Sequence, residues 1–435
     1  MKKILAFASI VLLLICCKSK QEAQVRFGAV DISRVIGEMT ETMVHDVTNP
    51  PLAARFFAYT CLAGYEVVAQ NNKDFASMKG RINDLPALQK PDSIKGYNAQ
   101  LAALLAMMQV AEKLQPSGKM IQAYHNRLTD SLQQAGLDAA VLDASERYAA
   151  VVTKQVLQYA RGDGYRTISN YPRYTPVSNQ QGTWYPTPPA YMAAVEPHFK
   201  MVRPFTLDSA AQFKPDAPAP YTTQKGTPFY QMMEEIYRHK LTDEEKAIAA
   251  FWDCNPFAVQ DNGHLLVGLK KISPGAHWLG ITGIACAKGG KNFEQSMEIF
   301  TAVSMGLMDG FICCWDEKYR SNRIRPETAI RQNLDPEWKP LLQTPPFPEY
   351  LSGHSTISGA SATILTRYFG DAFAYEDTVE IRYGLPARKF SSFRQAAEEA
   401  AISRLYGGIH FKDAVANGLV QGELVGKQVL KKLGK

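Results

Sequence analysis

The sequence predicts an all-α protein built from helical bundles. Apolar residues recur every three to four positions through most of the N-terminal third, for example Val35, Met39, Met43 and Val47. The breaks between such stretches are short and carry Pro, Gly or Asn, as at Asn49-Pro50-Pro51 and Pro116-Ser117-Gly118. The C-terminal half opens helices with recognisable caps, such as Thr242 followed by Glu245. With 435 residues, 46% of them apolar and 21% charged, the chain has material for one large domain or two helical ones. That composition excludes wholesale disorder.

Taken in order, residues 1–17 read as an export signal. Lys2 and Lys3 precede an apolar run from Ile4 to Ile15, which is short for a membrane span and has the length of a signal core. The run ends at Cys16-Cys17 and turns polar, which resembles a bacterial lipoprotein signal. Cys17 is the candidate lipidated residue and Cys16 the alternative; an uncleaved anchor is the other reading. The residue before a lipidated cysteine is usually small, and Cys16 departs from that pattern. Residues 25–161 read as an N-terminal helical region of four or five helices. Residues 162–227 are rich in Pro, Tyr, Ser and Thr, as in Trp184-Tyr185-Pro186-Thr187-Pro188-Pro189, and are expected to be an irregular connection that packs down and helps line a site. Helical signals return over residues 228–435, with helices expected at 295–315, 353–369, 391–405 and 413–433. No apolar run after the signal is expected to reach membrane-spanning length, so the body reads as soluble.

Charge and cysteine usage narrow the function classes. The formal net charge is +6, with Lys and Arg scattered, so no nucleic-acid footprint is expected. Loss of residues 1–16 removes Lys2 and Lys3 and leaves 6 − 2 = +4. Cys61, Cys254, Cys286, Cys313 and Cys314 follow the signal, without C-x-x-C spacing and a matching histidine pair, so no zinc site is expected. Export permits disulfides, but five is an odd number. Cys313 and Cys314 sit in an apolar stretch and read as buried thiols.

Three short segments carry chemistry. The first runs from Lys318 through Arg325 to Pro326; the second is Pro348-Glu349-Tyr350-Leu351-Ser352-Gly353-His354; the third runs from Ser403-Arg404 through Gly407-Gly408 to His410. Lys318 and Arg325 are seven apart, two turns on one helix face, and combine a point charge with a planar fork of donors. Ser352 reads as the cap of a helix whose free N–H groups attract an anion, and Gly353 permits close approach. His354 is placed to move a proton. Gly407-Gly408 can break a helix and turn His410 back toward Arg404, offering an imidazole as nucleophile or metal ligand. Taken singly, each segment has an ordinary structural explanation. Together they form an inventory for phosphate or vanadate.

The joint pattern resembles the signature of the type 2 phosphatidic acid phosphatase and vanadium-dependent haloperoxidase superfamily: K-x6-R-P, then P-S-G-H, then S-R-x5-H. The first and third segments match every fixed position, and the second has Leu351 where proline is usual. The surrounding residues, including Trp315-Asp316-Glu317-Lys318-Tyr319 and Tyr406-Gly407-Gly408-Ile409-His410-Phe411, look like the soluble haloperoxidase-like branch of bacteria. The resemblance covers roughly residues 235–435. It implies a four-helix-bundle-like catalytic core of the haloperoxidase/acid phosphatase type within residues 228–435.

For a haloperoxidase, the resemblance implies that His410 ligates vanadium and that Lys318, Arg325, Ser352, Gly353 and Arg404 hold the vanadate oxygens. His354 would be the acid/base when peroxide binds, and halide would be oxidised without a change in the metal's redox state. For a metal-free acid phosphatase, it implies attack by His410 on phosphorus to give a phosphohistidine, with His354 protonating the leaving group and then activating water. A non-catalytic lipoprotein that binds an anion or a partner is the third reading. The expected partners are small molecules, peroxide and halide or a phosphate ester, with membrane contact through the lipid anchor only. The expected location is outside the cytoplasm, anchored to a bacterial membrane on the periplasmic side or cell surface. Phosphatase members often carry an aspartate four residues after the last histidine, whereas Asp413 is three after His410. His45, His125, His198, His239, His264 and His277 read as surface or packing residues, although His277 beside Trp278 could approach the site. Asp309, nine before Lys318, is placed to brace a basic residue.

Overall fold

In the computed structural model, described for residues 25–177, 180–261 and 263–435, five helices fill the region expected to be helical. They are α1 (Ala29–His45), α2 (Pro50–Asn71), α3 (Ala99–Leu114), α4 (Gly118–Gln134) and α5 (Ala139–Arg161). The Asn49-Pro50-Pro51 break is a helix start: the Asn49 side chain accepts from the Leu52 N–H at 2.9 Å, and the prolines occupy a first turn that needs no donors. The lipidation candidates Cys16 and Cys17 lie outside the described residues.

The connection is irregular, as its composition dictates, with a single turn α6 (Tyr165–Ile168) and a 3-10 turn at Phe199–Met201. After it come α7 (Pro228–Arg238) and α8 (Asp243–Phe251), the latter opened by the expected capping box between Thr242 and Glu245. Then follow β1 (Val259–Asp261), β2 (Leu266–Gly268), α9 (Pro274–Lys288), α10 (Phe293–Ser321), α11 (Pro326–Asn333), α12 (Gly353–Phe369), β3 (Tyr375–Asp377), β4 (Arg388–Phe390), α13 (Phe393–Tyr406) and α14 (Lys412–Leu433). The strands form two antiparallel ribbons, with Val259 opposite Gly268 and Tyr375 opposite Phe390. They are local hairpins on a helical fold.

α10 is the central helix. It packs against α2 on one side and α12 on the other. It is long and apolar enough to cross a membrane, with a mean hydropathy of 1.4 over its most apolar window, contrary to expectation. That window is wholly buried inside the protein, so its apolar surface is already covered by other helices. One continuous apolar cluster runs from Ala29 to Leu433 and includes residues of both halves.

Among the described residues the connection does not line the motif site; it braces α10. The Trp315 indole and the Tyr319 hydroxyl both donate to the Val195 carbonyl, at 3.1 and 2.6 Å. Among the described residues, Asp309 holds no basic residue. Its carboxylate accepts from the Phe205 and Thr206 N–H groups at 2.7 and 2.8 Å and from the Thr206 hydroxyl at 2.6 Å. Burial, outweighing these donors, pushes the Asp309 carboxyl up to about 6.

Candidate active site

The three motif segments converge, but not by the geometry their spacing suggests. α10 ends at Ser321 because Asn322 adopts a left-handed conformation (φ 46°), which asparagine tolerates better than most side chains. Arg325 therefore does not continue the Lys318 face. It sits in extended backbone as the residue before α11, and the chain folds back to bring it beside His410. Its guanidinium donates to the carbonyls of Phe347 (2.9 Å) and Ile409 (2.8 Å), and its Nη1 lies 3.2 Å from His410 Nε2.

Lys318 is fully buried and gives its ammonium to the carbonyls of Pro348 (2.9 Å), Glu349 (3.1 Å) and Leu351. It thereby fixes the turn that delivers Ser352. Ser352 caps α12 as expected, accepting from the Ser355 N–H at 3.2 Å while its own hydroxyl proton stays available. At the third segment, α13 stops at Tyr406, and Gly408 takes φ +71°, turning the chain so that His410 enters the site. Arg404, on α13, donates to the Trp252 carbonyl at 2.9 Å and has Asp253 at 4.0 Å.

His410 owes its orientation to a residue that the sequence did not single out. Its Nδ1 lies 3.0 Å from Glu349 Oε1, which also accepts from the Phe411 N–H at 2.8 Å. The other Glu349 oxygen accepts from Arg323 Nε at 2.6 Å, and Arg323 forks onto Asp413 with two bonds of 2.6 Å. Asp413 is thus the partner of Arg323, not of His410. A carboxylate at Nδ1 fixes the tautomer with hydrogen there, leaving the Nε2 lone pair to accept from Arg325 Nη1. No spacing rule points to Glu349, because its partners lie 26 and 61 residues away.

Gly353, His354, Arg404 and His410 line one cavity, together with Cys254, Phe257, Phe311, Trp315 and Phe347. Lys318 lies behind that lining, over the Trp315 and Phe347 rings. The cavity has a volume of about 20 Å³, room for about one water. A larger cleft of about 650 Å³, lined by Tyr237, Trp338 and Tyr406 among others, contains none of the seven motif residues. Arg325 Nη2, Arg404 Nε and His354 Nε2 are buried with no hydrogen-bond partner among the described residues. Unpaired buried nitrogens are costly; His354 and Arg404 line the small cavity, and Arg325 lies behind His410.

Burial pushes Lys318 down to about 7 and Arg325 down to about 9, and lowers Arg404 as well. Burial and the surrounding cations hold His354 and His410 well below the ordinary histidine range, so both imidazoles are neutral. Lys318, Arg325 and Arg404 make the site rich in cations, with Glu349 and Asp253 as the carboxylates beside it. Its donor set fits a tetrahedral or trigonal-bipyramidal oxyanion, with the neutral His410 imidazole in the lining.

The other histidines divide. His45, His125 and His239 pair with nearby carboxylates, His198 meets the Pro172 carbonyl, and His264 is exposed. His277 is fully buried against Asp377 and Glu380, outside the cavity lining but in contact with Cys254, which belongs to it. All five described cysteines are free and buried, Cys313 and Cys314 as expected.

Fold and site together define a helical-bundle protein with a buried, histidine-containing pocket whose donors fit an oxyanion. A model of the second helical-bundle domain of vanadium chloroperoxidase matches residues 298–435. Vanadium chloroperoxidase of Curvularia inaequalis is 23% identical over 401 residues, covering 77% of this chain and 64% of that protein's length. Among solved structures, a bacterial vanadium-dependent iodoperoxidase is 42% identical with a TM-score of 0.89, covering 95% of this chain and 98% of that one. The holo form of a bacterial vanadium-dependent chloroperoxidase shares the fold at 17% identity and a TM-score of 0.65, covering 89% of this chain and 93% of that one. The chain belongs to the vanadium-dependent haloperoxidase family.

Proposed function

We propose that this protein is a vanadate-dependent haloperoxidase that oxidises halide with hydrogen peroxide, iodide being the halide to test first. The observation that carries the reading is the convergence of unpaired buried nitrogens on Arg404 and His354, which line one cavity with neutral His410, and on Arg325, which contacts His410. The likeness to an iodoperoxidase supports it and suggests the halide. His410 Nε2 would ligate vanadium. Arg325 and Arg404 would turn from their carbonyl partners toward the vanadate oxygens, joined by the Ser352 hydroxyl, the Gly353 N–H and the charge of Lys318. Bound vanadate supplies a Lewis-acidic centre that polarises peroxide for two-electron transfer to halide.

The chain's own residues do the rest. His354, neutral and with Nε2 unpaired, takes a proton from incoming hydrogen peroxide and returns it as water forms. Glu349 keeps the His410 lone pair on the cavity side. The rings of Phe257, Phe311, Trp315 and Phe347 exclude bulk water, which strengthens every charge interaction inside. Residues 228–435 form the catalytic domain in this reading, with residues 25–161 supporting it. The protein is exported and lipid-anchored through Cys17, a proposal that rests on residues 1–20 and predicts palmitate labelling that C17A abolishes.

The deciding experiment titrates the full chain with orthovanadate and assays iodide or bromide oxidation by peroxide, with His410→Ala as control. Halide oxidation that needs both vanadate and His410 is the expected result. Phosphate-ester hydrolysis by the vanadium-free protein, with no halide oxidation, moves it to the acid phosphatases through a phosphohistidine at His410. Silence in both assays leaves a binding role.

A further inference from the structure

Beside the oxyanion cavity, three donor atoms from distant parts of the chain meet in the interior. Cys254 Sγ lies 3.5 Å from His277 Nδ1 and 3.6 Å from a Glu380 carboxylate oxygen, and that oxygen lies 3.2 Å from His277 Nδ1. Cys254, His277 and Glu380 are all buried. Tetrahedral zinc, with bonds of about 2.3 Å to sulfur and about 2.0–2.2 Å to nitrogen or oxygen, separates its donors by roughly 3.6 Å (S to N or O) and roughly 3.4 Å (N to O). The triangle in the protein has those dimensions, so an ion fits with little movement of the side chains.

The surroundings are built for such a role. His277 Nε2 lies 2.8 Å from the Asp377 carboxylate, the carboxylate–histidine arrangement that fixes a metal-ligating imidazole. The Trp252 ring stacks on the imidazole at 4.6 Å with 19° between planes and holds its orientation. Cys254 comes from the loop after α8, His277 from the start of α9 and Glu380 from the short 3-10 turn Val379–Tyr383. We propose that Cys254, His277 and Glu380 bind a zinc-type divalent cation, with Asp377 as the positioning residue and water in the fourth position. The expectation of no zinc site considered only motif spacing, and these ligands have none.

The site would pin the chain around Cys254, which forms part of the cavity wall, to α9. Protons compete with the metal, because thiolate and neutral imidazole are the forms that ligate, so zinc uptake releases protons.

The test strips the full-length protein with chelator and equilibrates it with zinc or with cobalt(II) as a spectroscopic substitute. We expect one ion per chain by elemental analysis, release of protons, and a cobalt spectrum with a sulfur charge-transfer band and strong four-coordinate d–d bands. C254S and H277Q should lose the ion, and D377N should bind it roughly 10–100-fold more weakly. H410A, which leaves this cluster untouched, should keep it. If those variants fail to fold, the wild-type cobalt spectrum decides alone. No stoichiometric uptake, or cobalt bound without the sulfur band, overturns the proposal in favour of a proton-bridged His277.

Discussion

His410 comes to the cavity with one nitrogen already engaged. Glu349 takes Nδ1, and Arg323 holds the other Glu349 oxygen, so the imidazole can rotate little. The arrangement makes Glu349 the residue whose charge sets how strongly His410 Nε2 donates. Glu349→Gln keeps an acceptor for Nδ1–H and for the Phe411 N–H but removes the charge and turns an amide NH2 toward Arg323, which keeps its two bonds to Asp413. We expect vanadate affinity to fall roughly 10–100-fold in this variant with the helical spectrum preserved. An unchanged vanadate titration curve would show that Glu349 only fills space. The seven motif residues were legible in the sequence because residue type and order carry that information. Glu349, Arg323 and Asp253 were not, since pairing between side chains far apart in the chain leaves no periodic mark. The Asp413 offset of three rather than four was a legible hint that the histidine's partner lay elsewhere.

At the scale of elements, the N-terminus of α12 presents Ser352, Gly353 and His354, and α14 decides where α12 lies. A Cβ on Gly422 would sit 2.0 Å from the Thr356 carbonyl oxygen, and one on Gly418 would sit 2.8 Å from the Ser355 Cβ. Both are contacts that force a shift between helices, because the obstacles are backbone or short side chains. Gly422→Ala should therefore cost about 3 kcal/mol or more and weaken vanadate binding by displacing the start of α12. Gly37→Ala, inside α1, meets only the Arg382 guanidinium at 4.0 Å, and the same chemical change there should stabilise by roughly 0.5–1 kcal/mol through helix propensity. Denaturant unfolding of the two variants separates these accounts; equal midpoints would refute the close-packing argument. Helix starts were legible, Thr242 with Glu245 and Ser352 among them, because a cap is a local hydrogen bond between near neighbours. The end of α10 was not, because Asn322 stops the helix by a conformation that many asparagines never adopt.

Across the whole molecule, α10 joins the two halves. Its Thr301 hydroxyl donates to the Cys61 carbonyl of α2 at 3.1 Å, and Met297 packs so closely over Gly64 that a Cβ there would lie 2.8 Å from Met297 Cε. Periodicity showed that α2 and α10 each carry apolar residues to bury, but an apolar stripe looks the same whichever half supplies its partner. The shared core was therefore illegible in the sequence, although the helices that form it were not. Separating the halves would uncover the α2-facing side of a helix whose most apolar window is wholly buried. It would also remove Pro50 of α2 from the wall of the oxyanion cavity. Two outcomes are expected. The intact chain should unfold in one transition, with tryptophan fluorescence and helical signal moving together, since the indoles report mainly on the C-terminal half and the helical signal on both. Residues 228–435 expressed alone should remain loosely packed, bind hydrophobic dyes and take up no vanadate, because the surface uncovered on α10 is apolar and the connection that braces its last turns through Val195 is missing. A fragment that unfolds cooperatively and binds vanadate like the full chain would mean that α10 is held by α12 and α14 alone, and that the N-terminal helices cover the catalytic bundle without supporting it.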